Sequence, residues 1–130
     1  MSKKCIVIGA VLMAIAVALG AVGSHILSAS LPGKMLTLFE LAVKYQIYHA
    51  LGLMIIGVIP ANWQNKKTQY AGGLMMVGIV LFCGGLYSYS LTDVTFIRQI
   101  IPMGGLALIA SWLMLSWSML TQSNEGNELG

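Results

Sequence analysis

The sequence predicts an all-α integral membrane protein, a bundle of four membrane helices, on three observations. Hydrophobic residues make up 58% of the 130 and charged residues only 8%, with a mean hydropathy of +0.84, too little polar material to coat a soluble domain. The apolar residues gather into four stretches, each of about the 20 residues that cross a bilayer. Basic residues flank them at Lys3, Lys4, Lys66 and Lys67, where such residues meet anionic headgroups. The net charge of +3 therefore belongs to the membrane surface. With no basic patch interleaved with aromatics, no nucleic-acid partner is expected.

The first stretch, residues 5–27, opens on Lys3 and Lys4 like a signal peptide, and Ser28-Ala29-Ser30 resembles a cleavage site. A secretory apolar region is only about 7 to 15 residues long, so this longer one is expected to stay as a span. The second span, 39–60, begins amphipathically at Phe39, turns apolar from Ala50 and stops at Pro60, with Trp63 as an interfacial anchor. The third covers 70–91. The fourth, 100–120, carries Pro102 in what should be its first turn, where proline is tolerated. Residues 1–121 thus form one transmembrane domain, and the polar tail over 122–130, with Glu125 and Glu128, is expected to be disordered.

Four spans put both termini on one side. That side carries Lys3, Lys4, Lys66 and Lys67, against Lys34, Lys44 and Arg98 on the other, so the positive-inside rule predicts cytoplasmic termini. The polar residues collect in the opposite, outer half. His25 closes the first span, Glu40 to His49 opens the second, Tyr87-Ser88-Tyr89-Ser90 closes the third, and Asp93 and Arg98 flank the third loop. The half near the termini reads as almost purely apolar.

At about 100° per residue, Glu40, Lys44 and Tyr48 share one stripe of the second span, while Ala42, Tyr45, His49, Gly52 and Ile56 share nearly the opposite one. Glu40 and Lys44 therefore suit an i,i+4 ion pair. His49 lies about 13 Å deeper along the axis, at about 1.5 Å per residue. It is expected to find a partner on another helix, with His25, Tyr87 and Tyr89 as candidates. The candidate ligand-binding residues are His25, Glu40, Lys44, Tyr45, Gln46, His49, Tyr87 and Tyr89, because polar groups inside a bilayer need partners or a task.

No cofactor is expected. Zinc usually takes three or four protein ligands, and no third His or inward Cys stands at the level of the two histidines; two histidines at similar depth could ligate heme, but nothing else supports it. Ser24 and Ser28 flank His25 without an acidic orienting residue or a nucleophile elbow, so no catalytic residues are expected. Cys5 and Cys83 read as small buried hydrophobes, and the nine methionines as core and lipid-facing filler. The repeats Ala16-xxx-Gly20-xxx-Ser24 and Gly84-xxx-Ser88 predict close helix packing.

Four segments carry a resemblance: Gly20-Ala21-Val22-Gly23-Ser24-His25, Phe39 to Leu51 with its Tyr45-Gln46-Ile47-Tyr48-His49 core, Gly85-Leu86-Tyr87, and Pro102-Met103-Gly104-Gly105. Together they resemble the YgdD/YwdK-like family of small bacterial inner-membrane proteins. Val22 and Ser24 stand where that family more often has Phe and Ala. The resemblance implies a four-span inner-membrane protein and supplies no mechanism. The leading expectation is a non-enzymatic protein whose polar cluster binds a lipid headgroup, a small amphiphile or a partner membrane protein. A second copy of the chain is a further expected partner. The alternative is a small oligomeric, proton-linked transporter or channel.

Topology has a direct test. In a chain lacking Cys5 and Cys83, a cysteine placed near Lys34 should react with an impermeant external reagent and one near Lys66 should not; the reverse pattern would invert the orientation.

Overall fold

Four helices build the protein: α1 (Ser2–His25), α2 (Gly33–Val58), α3 (Lys66–Thr92) and α4, whose membrane-crossing part is Thr95–Gln122. This computed structural model describes the backbone of residues 2–129 and the side chains of 3–122. The polar tail expected over 122–130 falls, beyond Gln122, outside the residues described with side chains. All four helices are long and apolar enough to cross a membrane.

The helix ends follow local chemistry. Pro32 precedes the first residue of α2, and Ile59, which precedes Pro60, takes an extended backbone (φ −60°, ψ 133°) that stops the helix. Asn65 starts α3 with a capping box, its side chain accepting from the Thr68 N–H at 3.0 Å. Asp93 ends α3 in the left-handed region (φ 56°), and its N–H donates to the Tyr89 carbonyl at 2.8 Å. Helical backbone outruns the apolar stretches, since α2 starts at Gly33 rather than Phe39 and α4 at Thr95 rather than Ile100. Pro102 consequently sits inside α4 and not in its first turn.

The helices pack in chain order. α2 and α3 are central, with 50% and 44% of their apolar windows buried, and α1 and α4 flank them at 17% each. α1 lays Gly9, Gly20 and Gly23 against α2, while Cys5 Sγ lies against Gly72 of α3. A Cβ at Gly9 would come within 2.7 Å of the Ala50 carbonyl oxygen, so the two backbones touch there. Between α3 and α4 the contact is closer still, because Gly104 rests on the backbone of Leu81 and Phe82. Those residues lie in a π-helical segment, Ile79–Cys83, whose wider turn changes which residues face α4. The expected Gly84-xxx-Ser88 contact is accordingly absent: Gly84 has nothing within 4 Å of its Cβ position, and Gly85 meets Ile101 instead. Cys5 and Cys83 are free and buried, in a core with Leu53, Ile56, Ala71, Met75, Ile79 and Leu108.

The half near the second loop is less dry than its sequence suggests. Thr68 and Ser118, both fully buried, share a 2.7 Å hydrogen bond between α3 and α4, and the Ser118 hydroxyl also donates to Asn65 Oδ1 at 3.1 Å. Gln122 Nε2 donates to the Asn62 carbonyl, and Lys67 Nζ to Thr121 Oγ1, with the ammonium 4.7 Å from the Trp117 ring centroid. Gln64 Nε2 donates to the Ile56 and Ile59 carbonyls, closing the end of α2. Thr68 and Ser118 look unremarkable in sequence, and only the pairing of α3 with α4 brings them together.

The glycine contacts give a paired prediction. Gly104→Ala should cost about 1–3 kcal/mol through overpacking against backbone, read from unfolding in mixed micelles, whereas Gly84→Ala should be neutral or slightly stabilising.

Candidate functional site

A single amide ties three helices together. Gln46, 3% exposed, uses Nε2 to donate to the Leu12 carbonyl of α1 at 2.7 Å and Oε1 to accept from the Tyr87 hydroxyl of α3 at 2.7 Å. The Tyr87 ring is held edge-on against Phe39, centroids 5.1 Å apart. Both atom types of the amide are thereby satisfied where no water can satisfy them. The interhelical role expected of His49 belongs to Gln46.

His49 bonds within its own helix, through Nδ1 and the Tyr45 carbonyl at 2.7 Å. A carbonyl only accepts, so Nδ1 carries the proton of the neutral ring and Nε2 keeps a free lone pair. His25, Tyr87 and Tyr89 are not its partners. Among the described residues no buried side-chain nitrogen or oxygen lacks a partner; Nε2, with no partner among them, is therefore not fully enclosed, and His49 lines an adjoining crevice. That crevice, about 400 Å³, is lined by Tyr45, His49, Phe82, Gly105, Leu108, Ile109 and Trp112. It lies between α2 and α4, with Phe82 of α3 as its floor. Tyr45 stacks on Phe82 at 4.9 Å, and the His49 and Trp112 rings are 5.8 Å apart. Trp112 fits because Gly52 leaves room: a Cβ there would lie 2.9 Å from its ring. Trp112 and Ile109 are exposed on their outer sides, so the crevice opens laterally to lipid.

The expected cluster thus divides. Tyr45 and His49 face the crevice, and Gln46 and Tyr87 form the bridge. Glu40 and Lys44, both exposed, line a shallow groove beside Gly20, Gly23 and Ser24 of α1. Tyr89 lines a separate groove at the rim, and His25 is exposed at the end of α1, joining none of them. Burial follows the two stripes read from the sequence: Glu40, Lys44 and Tyr48 are exposed, Ala42, His49, Gly52 and Ile56 buried, and Tyr45 half-buried. Among the described residues no three of His, Cys, Asp and Glu gather so as to hold a metal ion. Phe82 and Trp112 are the site residues that sequence reasoning missed. Two aromatics in otherwise apolar helices give no signal until the helices are paired.

The sequence profile of a family described as "Protein of unknown function (DUF423)" matches residues 19–105, which takes in α2, α3 and the Pro102-to-Gly105 turn of α4. The chain belongs to this family. Among its relatives, UPF0382 membrane protein SH2409 of Staphylococcus haemolyticus is 43% identical over 113 residues, covering 87% of this chain and 92% of the relative. UPF0382 membrane protein YwdK of Bacillus subtilis is 40% identical over 114 residues, with 87% and 93% covered. No solved structure matches. The protein is a membrane protein of an uncharacterised family, and the relatives' names carry no enzymatic activity.

The bridge predicts energetic coupling. Tyr87→Phe should cost about 0.6 kcal/mol and Gln46→Leu about 1–2 kcal/mol, since the latter breaks bonds to two helices. The double variant should cost less than the sum, as read from a double-mutant cycle in unfolding; full additivity would show that the Gln46–Tyr87 bond contributes nothing.

Proposed function

We propose that the protein is a non-enzymatic membrane protein that binds a neutral amphiphile in the lateral crevice between α2 and α4. An O–H or N–H of the ligand donates to His49 Nε2, and its apolar body lies among Tyr45, Phe82, Leu108 and Trp112. The observation that carries this reading is that His49, whose Nε2 lone pair has no partner among the described residues, lines an aromatic-walled space open to lipid. Apolar walls with one oriented polar group are the usual make-up of a small-molecule site.

Depth selects the ligand class. His49 is about 14 Å along the axis from Val58 and about 24 Å from Gly33, at about 1.5 Å per residue, which puts the site in the hydrocarbon interior. A charged phospholipid headgroup drawn that deep would lose its hydration, whereas a neutral hydroxyl would lose little and regain a hydrogen bond. Conduction is less well supported. The fully buried side chains Leu53 and Met75 stand in the apolar core that separates the Gln46–Tyr87 bridge from the Thr68–Ser118 pair, and a proton path needs hydrogen-bonding groups throughout. We place the protein in the inner (plasma) membrane, and the lysine distribution supports cytoplasmic termini.

Trp112 supplies the reporter. With Trp63 and Trp117 changed to Phe, a brominated long-chain alcohol should quench Trp112 fluorescence at about fivefold lower membrane concentration than its methyl ether, the worth of one hydrogen bond. His49→Phe should erase that difference. Equal quenching by alcohol and ether in the protein with His49 intact would sink the proposal.

A further inference from the structure

A second groove lies at the opposite level of the bundle, at the rim formed by the first and third loops. Its volume is about 370 Å³, and it is lined by Lys34, Leu38, Leu86, Tyr89, Arg98, Ile101 and Pro102. Lys34 stands in the first turn of α2 and Arg98 in the first turn of α4, so two cations from helices far apart in sequence converge on one space. Neither first turn holds an acidic residue, and no side chain caps α2. The positive end of α2 is thus left uncapped beside the two side chains. Asp93, in the adjoining loop, is not among the lining residues.

Tyr89 completes the site. It is only 7% exposed, yet its hydroxyl donates to no group among the described residues; since none of their buried side-chain polar atoms is unpaired, that hydroxyl keeps some access, and Tyr89 lines the groove. The remaining wall, Leu38, Leu86, Ile101 and Pro102, is apolar and runs down toward the hydrocarbon. A guanidinium, an ammonium and a phenol O–H at the interface, above an apolar trough, match a phosphodiester with an attached acyl chain. We propose that this groove binds the headgroup phosphate of an anionic phospholipid, with one acyl chain laid along the apolar wall. It is independent of the His49 crevice, which lies deeper and takes a neutral ligand.

The test uses the full chain in nanodiscs holding equal amounts of phosphatidylglycerol and phosphatidylcholine, followed by gentle extraction and native mass spectrometry. Phosphatidylglycerol should be retained in preference to phosphatidylcholine. The double variant Lys34→Gln with Arg98→Gln should lower that retention by about tenfold, the worth of charge-assisted hydrogen bonds. Tyr89→Phe should lower it less, and Lys3→Gln with Lys4→Gln, which removes two cations from the other rim, should leave it unchanged. Equal retention of the two lipids by the unaltered protein would overturn the proposal without recourse to any variant. So would an equal loss on changing Lys3 and Lys4, which would reduce the effect to general surface charge. Displacement of the retained lipid by excess inorganic phosphate would reassign the groove to free phosphate and overturn the lipid assignment.

Discussion

In the hydrocarbon core no water is at hand to satisfy a polar side chain, and Gln46 places a whole amide there. Its two hydrogen bonds, to the Leu12 carbonyl and from the Tyr87 hydroxyl, restrict the relative settings of α1, α2 and α3, since both require donor and acceptor within a few ångströms. Apolar packing against lipid-like neighbours discriminates poorly between registers, because lipid tails are as apolar as the side chains they replace. The amide supplies the discrimination. Once α2 is fixed between α1 and α3, Tyr45 and His49 have only one direction left to face, and that direction is the crevice.

The fourth helix is fixed by different means. Gly104 seats α4 on the backbone of Leu81 and Phe82, and the π segment that contains them turns Phe82 toward Tyr45. At the second-loop end, the Thr68–Ser118 pair and the Asn65 and Gln122 side chains lock α4 to the start of α3. α4 is thereby held along α3 while remaining splayed from α2. Aromatic rings and an open crevice fill the space between them. The two proposed sites are consequences of that splay at different depths. Near the middle of the bilayer it leaves a neutral, aromatic-walled space with one acceptor; at the rim it brings two cations over an apolar trough. In the proposed roles each would select its ligand by the dielectric around it, since a charge is tolerated at the interface and costly in the interior.

Much of the arrangement was legible in the sequence because it depends on period and on solvent. Four apolar stretches need four spans whatever their neighbours, and the 100° stepping of a helix separates Glu40, Lys44 and Tyr48 from Ala42, His49 and Gly52 without reference to any other helix. Other features were not legible because they depend on a local break or a remote partner. The π segment displaced the Gly84 contact to Gly85, and Pro102 fell inside α4 because polar residues from Thr95 onward were helical too. The role given to His49 passed to Gln46, three residues away, since a histidine can satisfy itself on the Tyr45 carbonyl one turn back, whereas the two ends of the Gln46 amide are taken up by two other helices.

By itself the sequence determined the membrane, the number of spans, the buried face of α2 and the family, because hydropathy, helical period and local motifs are properties of single segments. Only the tertiary structure decided which polar residues meet. Gln46 with Leu12 and Tyr87, Thr68 with Ser118, His49 beside Trp112, and Lys34 opposite Arg98 are all pairings across 34 or more positions of chain. A hydrogen bond or a shared groove is settled by distances of a few ångströms, and those distances exist only once the helices have taken their neighbours and their register.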